Sequence, residues 1–471
     1  VLVDRNCHQS HHYGLMLSGA HVIYLDAYPL NEYSMYGAVP LRSIKAQLLA
    51  LRRAGKLDRV KMLMLTNCTF DGMVYDVERV MLECLAIKPD LVFLWDEAWF
   101  AFASFHPIYR QRTAMANAKK IAQMLRDDAY AARYATWKAE LGEGGLDDDD
   151  KLLETRLLPD PALARVRVYA THSTHKTLTA LRQGSMIHVW DQDFRDKAEE
   201  AFHEAYMTHT STSPNYQILA SLDVGRRQCE LEGYELVQRQ LELAMSLREH
   251  VFNHAQLQRH FRFLRVGDVV PPQYRESGVA NYHNTETGWN NFELAWRTDE
   301  FALDPTRATL LIGATGMDGD TFKNKELMDK YGIQINKTSR NTVLFMTNIG
   351  STRSAVAYLL EVLVKIMRSV DQRVADMSAI ERRIHDKRVR SLMQEQPPLP
   401  DFSAFHFAFR GRSVEGRTPT RDGDIRSAFF LSYDDQNCEY IGMQEAARAI
   451  QAGRELVSAL FVIPYPPGFP I

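Results

Sequence analysis

Short apolar runs alternate with stretches of helical periodicity over the first half of the chain, and this alternation strongly limits the possible folds. Six runs have the length and composition of strands: residues 1–4, 21–25, 60–66, 91–97, 166–173 and 185–190. Several of them, such as VKMLMLT, are apolar at nearly every position, so we expect both faces of these strands to be buried. Buried strands that alternate with helices predict βαβ units, and hence an α/β fold with a mostly parallel sheet.

The second half of the chain predicts a smaller α/β unit. Residues 216–254 are periodic enough for one long connecting helix, and strand-like and helix-like runs follow it as far as residue 393. A proline-rich stretch at 394–402 then marks a break. We therefore expect a large domain at 1–230, a smaller domain at 231–395 and the beginning of a further region at 396–471.

Composition excludes several classes of protein. With 45% apolar residues among 471, the chain can build a large core, which excludes wholesale disorder. A net charge of −3 gives no electrostatic signature of a nucleic-acid or membrane partner, and no apolar run approaches the roughly 18 residues of a membrane span. The five cysteines form no CxxC pair, so we expect no metal site and a reduced, cytoplasmic setting.

A lysine and an aspartate at two predicted strand ends point to a specific chemistry. Lys176 follows the run at 166–173, and a lysine with little access to water can lose its proton and form a Schiff base with an aldehyde. Asp96 lies at the end of an apolar strand, where a carboxylate is costly without a cationic partner. Pyridoxal phosphate uses both groups, a Schiff-base lysine and an acid on its ring nitrogen. At about 4 Å and an effective dielectric constant near 20, that ion pair is worth roughly 4 kcal/mol.

Seven sequence blocks, in order along the chain, carry a resemblance to a known family. They are DRNCHQSHHYGLMLSGA (4–20), YLDAYPLNEYSMYGAVP (24–40), TNCTFDG (66–72), FLWDEAWFAF (93–102), ATHSTHKTLTALRQGSMIH (170–188), HTSTSPNY (209–216) and IPYPPGFP (463–470). Together they resemble the bacterial ornithine/lysine/arginine decarboxylases. The resemblance implies pyridoxal 5'-phosphate as cofactor and the PLP-dependent transferase fold type I, with a mostly parallel seven-stranded sheet in the large domain.

The resemblance also implies roles around the cofactor ring. Lys176 matches the lysine that holds the cofactor, and Asp96 matches the partner of the ring nitrogen. His8 matches a histidine that stacks on one ring face, Ala98 matches the small residue on the opposite face, and Trp99 is expected near the ring edge.

Further residues are predicted to contact the phosphate or the substrate. Ser173 matches a phosphate ligand, and His175 matches a neighbour of the phosphate or of the substrate. Ser211 matches a hydroxyl that reaches the phosphate across a dimer interface. Asn67 is a candidate hydrogen-bond donor near the ring hydroxyl. Because the distal cation of a basic amino acid needs an acidic partner, Glu439 is our candidate for that contact.

The predicted reaction is decarboxylation of lysine, arginine or ornithine to cadaverine, agmatine or putrescine. Lys176, His8 and His175 remain alternative donors of the proton that returns to Cα. The resemblance implies at least a homodimer and allows larger rings. Two other functions stay open: an aminotransferase, for which Arg340 and Arg410 are available to bind a carboxylate, and an inactive regulatory relative.

The sequence departs from the family pattern in several places. Arg182 and Gly184 replace small residues of the lysine block, and residues 127–164 are expected to form a surface insertion. The chain is expected to begin inside the cofactor domain, and the family continues beyond the last block. The acidic stretch 142–151 predicts an exposed loop or, alternatively, a cation or partner site. His11 and His12 point about 100° apart on a helix, so we do not expect them to share a metal.

Overall fold

The computed structural model describes residues 1–399 and, beyond them, residues 426, 429–430, 433–436 and 438–456. The strands within this part of the chain are, in order, β1 (Leu2–Asp4), β2 (Ile23–Leu25), β3 (Pro29–Leu30), β4 (Met35–Tyr36), β5 (Met62–Thr66), β6 (Met73–Tyr75), β7 (Val92–Asp96), β8 (Arg167–His172), β9 (Met186–Asp191), β10 (Arg262–Phe263), β11 (Phe301–Leu303), β12 (Arg307–Leu311), β13 (Lys337–Thr338) and β14 (Thr342–Met346).

The α-helices with defined bounds are, in order, α1 (Gln9–Ser18), α2 (Leu41–Arg53), α3 (Val77–Ile87), α4 (Pro107–Arg110), α5 (Ala114–Met124), α6 (Asp128–Leu141), α7 (Asp149–Glu154), α8 (Thr174–Thr177), α9 (Phe194–Lys197), α10 (Glu199–His209), α11 (Tyr216–Asn253), α12 (Val266–Val269), α13 (Asn290–Thr298), α14 (Gly319–Thr321), α15 (Asp329–Tyr331), α16 (Arg353–Ala375), α17 (Ala379–Met393) and α18 (Met443–Gln451). A π-helical segment, Phe322–Met328, joins α14 to α15.

The largest sheet contains the six strands that the apolar runs predict. Its order is β2-β1-β5-β7-β8-β9. The first five strands are parallel, and β9 runs antiparallel to β8. The seven strands implied by the resemblance are not observed within the described residues. The number seven came from the resemblance, whereas the sequence itself offers six apolar runs for this sheet.

Both faces of this sheet are covered, which explains why its central strands are apolar at successive positions. Leu63 and Leu65 of β5 pack into the main core, to which α2 and α3 contribute. Met64, between them, faces the opposite side and packs against Leu15 and Met16 of α1. The side-chain alternation of a single strand therefore supplies two cores.

The second sheet is antiparallel and has a core of its own. Its order is β10-β12-β14-β13, and α16 packs on it through an apolar stripe that includes Val362 and Ile366. Helix α11 links the two cores, since Val237 lies in the first and Val251 in the second. The predicted domain boundary at residue 230 falls within α11, and the domain division stays a prediction.

None of the helices in the described part of the chain is long and apolar enough to cross a membrane.

The acidic stretch 142–151 ends in the N-cap and the first residues of α7. Asp148 caps α7, and Asp149 pairs with Arg52 and Arg53 of α2. These acidic groups therefore have structural partners. The predicted C-terminal region, 396–471, lies largely outside the described residues.

Candidate active site

The carboxyl ends of β5, β7 and β8 border a cavity of about 350 Å³. Polar groups at such strand ends meet because parallel strands finish at the same edge of the sheet. The volume falls within the roughly 300–1,000 Å³ typical of small-molecule sites. Six residues predicted for the site line this cavity: His8, Asp96, Ala98, Trp99, Ser173 and Lys176.

Asp96 is the buried acid of the cavity. Its Oδ1 accepts hydrogen bonds from the Ala98 N–H (3.0 Å) and the Thr171 hydroxyl (3.3 Å), and its Oδ2 lies 2.8 Å from Nε2 of His11. Burial raises the pKa of this carboxyl, but the contacts with His11 and Ala98 and the charge of Lys176 outweigh burial and hold the pKa at about 2. Asp96 is therefore a fixed negative charge near neutral pH.

A second buried acid, Glu97, braces the strand ends behind Asp96. Its Oε1 accepts from the side-chain amide of Asn67 (3.1 Å) and the N–H of Ala114 (2.8 Å), and its Oε2 accepts from Nε2 of His172 (2.9 Å). One carboxylate thus ties the ends of β5 and β8 to the start of α5. The side-chain amide of Asn67 thus donates both to Glu97 and to the backbone carbonyl of Arg112.

Lys176 lies on α8, the short helix that follows β8 directly. Its Nζ is 4.7 Å from the centre of the Trp99 ring. Burial lowers the pKa of the Lys176 amine, the Asp96 carboxylate raises it and the Arg307 guanidinium lowers it, with a net decrease. A larger fraction of this amine is therefore neutral and nucleophilic than of an exposed lysine.

His8 caps the N-terminus of α1 from within the cavity. Its Nδ1 accepts from the backbone N–H of Ser10 (3.2 Å) and lies 2.9 Å from the Ser10 hydroxyl. Burial and the neighbouring Lys176 charge lower the pKa of the His8 imidazole, although Asp96 raises it. A neutral ring that accepts at Nδ1 carries its proton on Nε2.

His175 lies at an adjoining cavity of about 540 Å³ rather than at the first one. Trp99 and Lys176 line both cavities, and Arg182 and Arg307 line the second. The Nδ1 of His175 is held 2.8 Å from the carbonyl oxygen of Gly184. Arg182, a departure from the family pattern, therefore lies beside the lysine block at the second cavity.

Ser211 and Glu439 line neither cavity within one chain. Ser211 is exposed in the link between α10 and α11, and its hydroxyl bonds locally to the backbone of Ser213. Glu439 is exposed and pairs with Arg454. Their proposed roles stay predictions.

Several residues at the site, among them Glu97, His11 and Arg307, had no role in the sequence-based predictions. His11 binds Asp96, and its spacing of three residues from His8 on one helix was a usable signal. Arg307 is buried, and its guanidinium lies 5.1 Å from the Trp99 ring centre. Because β12 carries Arg307 to the site from far along the chain, no local pattern could have indicated it.

The alternative residues lie elsewhere. The Arg340 guanidinium binds Ser391 and Gln396, away from both cavities, and Arg410 lies outside the described residues. His12 turns from the cavity toward the Tyr24 hydroxyl. Within the described part of the chain, no group of three or more histidine, cysteine or acidic side chains is arranged to hold a metal ion.

Curated proteins with similar sequences are decarboxylases. Lysine decarboxylase LdcA of Pseudomonas aeruginosa is 27% identical over 494 aligned residues, which cover 100% of this chain and 58% of that protein. The biodegradative arginine decarboxylase of Escherichia coli K12 is 25% identical over 526 residues, covering 100% and 60%. The constitutive ornithine decarboxylase of the same strain is 24% identical over 507 residues, covering 99% and 63%. The chain thus spans less than two thirds of these relatives.

Solved structures show the same fold. Lysine decarboxylase A from Pseudomonas aeruginosa superposes with a TM-score of 0.62 at 24% identity, over 100% of this chain and 58% of that one. The constitutive lysine decarboxylase of Escherichia coli gives a TM-score of 0.52 at 25% identity, over 80% and 46%.

The family profile described as Orn/Lys/Arg decarboxylase, major domain, matches residues 1–125 and 155–355. The unmatched residues between the two segments are 126–154, and all but the first of them lie within the predicted insertion at 127–164. The matched segments contain the strands that form the cavity and all six predicted residues that line it. The chain therefore belongs to the Orn/Lys/Arg decarboxylase family.

Proposed function

We propose that this chain forms the cofactor- and substrate-binding part of a PLP-dependent decarboxylase of fold type I. The substrate would be lysine, arginine or ornithine, and the products the corresponding amine and carbon dioxide. One observation carries the proposal: a chain of this family brings Lys176, Asp96 and His8 together in a single cavity at the carboxyl ends of its parallel strands.

The chemistry of these groups fits pyridoxal phosphate. An amine with a lowered pKa suits covalent attachment of an aldehyde, and a buried, ionised carboxylate suits a protonated ring nitrogen. The small Ala98 side chain would leave room for a flat ring, and the His8 imidazole, which lines the same cavity, would cover a ring face. Ser173, directly before α8, would hold the phosphate together with His175.

When bound, pyridoxal phosphate supplies an electron sink for the electron pair of the broken Cα–carboxylate bond. The residues orient the reactants for this step. Asp96 would hold the proton of the ring nitrogen, and His8 and Ala98 would fix the ring plane, so that the carboxylate can be aligned perpendicular to it. Trp99 shields the Lys176 amine on one side.

Lys176 is our proposed donor of the proton that returns to Cα. Its Nζ would be free to move a proton once substrate is bound, and its lowered pKa would ease proton donation near neutral pH. His8 shares the cavity and is the second candidate. His175 is less favourably placed, because it lies at the adjoining cavity.

The distal cation of the substrate would be bound outside the two cavities as one chain forms them. Asp96 is the sole carboxylate among the described residues that line them. Since Asp96 would serve the ring nitrogen, we infer that a second copy of the chain or residues outside the described part supply the acid. Glu439 could act only after leaving Arg454.

Exposed apolar side chains support a homodimer. They lie on β9, α10 and α11 and include Ile187, Val189, Tyr206, Leu219 and Val224. Ile187 also lines the candidate active site, so a second copy that buries this side chain would cover the cavity. Apolar side chains that a single chain exposes to solvent are typically buried where they form an interface. Ser211, in the link between α10 and α11, would then lie at the interface.

Turnover of the three amino acids tests the proposal. We expect the purified protein with pyridoxal phosphate to release carbon dioxide from at least one of them, and Lys176→Ala to lower kcat by on the order of 10³-fold or more. Lys119→Ala, at an exposed position of α5, is the matched control. Keto-acid formation without carbon dioxide would instead identify an aminotransferase, and the absence of any covalent cofactor at Lys176 would indicate an inactive relative.

A further inference from the structure

The imidazole of His11 lies against the Asp96 carboxylate inside the candidate active site. The side chains of His11 and Asp96 are 12% and 8% exposed, and Nε2 is 2.8 Å from Oδ2. An ionised carboxylate only accepts hydrogen bonds, so Nε2 of His11 carries the proton and donates it. Hydrogen bonds to a charged acceptor in such a dry site are short and strong.

Helix α1 places this donor together with His8. His8 caps the helix and His11 follows three residues later, so both rings reach the same cavity from neighbouring turns. His12, the next residue, turns away, and its ring contacts the Tyr24 hydroxyl (2.9 Å) and Sγ of Cys7 (3.4 Å). Of these two adjacent histidines, His11 therefore faces the cavity and His12 faces the core.

The hydrogen bonds to Asp96 leave room for one more donor. Oδ1 is occupied by the Ala98 N–H and the Thr171 hydroxyl, and Oδ2 by His11. A carboxylate offers about four lone-pair positions, so one acceptor position remains, and it lies on the oxygen that His11 holds. With three donors attached, the carboxylate cannot rotate freely to find that fourth partner.

We propose that His11 is a positioning residue that fixes the Asp96 carboxylate with its remaining acceptor position directed at the ring nitrogen of pyridoxal phosphate. The inference rests on the proposed function. A group fixed before binding loses little conformational freedom when the ligand arrives, so His11 strengthens cofactor binding without touching the cofactor. The contribution of His11 to the binding affinity should vanish for a ligand that has no ring nitrogen.

Cofactor binding to three variants tests this without any turnover. His11→Leu removes the donor, His11→Gln retains an amide donor at a similar reach, and Tyr13→Leu changes an exposed residue of the same helix as the control. The probes are pyridoxal phosphate and its 1-deaza analogue, in which carbon replaces the ring nitrogen. We expect His11→Leu to raise the Kd for pyridoxal phosphate about tenfold and to change the Kd for the analogue less than about twofold. His11→Gln should stay within about threefold of the unsubstituted protein for both.

Equal weakening of both probes by His11→Leu would show a merely structural role and overturn the inference, as would no weakening of either. If His11→Leu does not fold, His11→Asn replaces it, because the shorter amide cannot reach Oδ2. Failure of the proposed function has a different signature. In that case the unsubstituted protein would form no borohydride-trappable bond between Lys176 and pyridoxal phosphate.

Discussion

The two sides of the candidate active site are built differently. We call Asp96, Glu97 and their hydrogen-bond partners the floor of the cavity, and we call the segments 181–189 and 209–219 the rim. Of these two segments, only 181–189 contributes residues that line the cavities. The two acids of the floor are buried, and their carboxylate oxygens accept hydrogen bonds from donors of the same chain. The rim instead exposes apolar side chains such as Ile187 and Leu219 to solvent. One chain therefore completes the floor, whereas we propose that a second copy covers the rim.

This difference separates two aspects of the proposed chemistry. The floor holds the groups that would bind and polarise the cofactor, and these groups are common to many PLP-dependent reactions. Contacts that distinguish lysine, arginine and ornithine would come from the rim and from what covers it. Substitutions in the floor should therefore weaken cofactor binding or catalysis, whereas substitutions in the rim should change assembly or substrate preference.

The largest effect is expected at Asp96. Asp96→Asn keeps the shape of the side chain but removes the negative charge that would hold the ring nitrogen protonated, an interaction worth roughly 4 kcal/mol. We expect kcat to fall by on the order of 10³-fold while the protein still forms its covalent bond to the cofactor. Steady-state carbon dioxide release measures kcat, and trapping of the cofactor with borohydride measures the covalent bond. Full activity in Asp96→Asn would remove Asp96 from its proposed role.

A charge placed on the rim face should break the assembly. Leu219→Asp would bury an unpaired carboxylate in the proposed dimer interface, and we expect the dimer dissociation constant to rise at least about 100-fold. Sedimentation over a range of concentrations measures it, with Leu163→Asp as an exposed control on a different surface. An unchanged dimer in Leu219→Asp would place the interface on another surface.

The contribution of Asp96 to the free energy of unfolding should depend on pH. The pKa of Asp96 is lowered from 3.8 to about 2 on folding, so its stabilisation is present above pH 4 and lost as the pH falls toward 2. Asp96→Asn should therefore lower the free energy of unfolding by about 2 kcal/mol at pH 7 and by much less at pH 2. Urea titrations at both pH values measure this, with Asp58→Asn as an exposed control. A difference independent of pH would show that the charge does not stabilise the fold.

The sequence predicted that Asp96 and Lys176 lie at one sheet edge because the signals for these two residues are local. An apolar run that ends in Asp96, and a lysine directly after another run, place both groups at one sheet edge by topology alone. The six strands followed from the same periodicity. Local signals could not predict contacts between segments that are distant in sequence. Arg307 reaches the site from the second sheet, and the pairing of Glu439 with Arg454 depends on the tertiary structure.

The smallest effect is expected at Glu439, which was the sequence-based candidate for the distal cation. Because Glu439 is exposed and paired with Arg454, and exposed pairs are worth about 0–1 kcal/mol, Glu439→Gln should change KM for each basic amino acid less than about twofold. Arg454→Gln, which removes the other half of the pair, is the matched control. A tenfold rise in KM for one substrate, with kcat unchanged and confined to Glu439→Gln, would mean that this carboxylate leaves Arg454 and binds the substrate. In that case Glu439, which lies outside the rim, would contribute to substrate specificity.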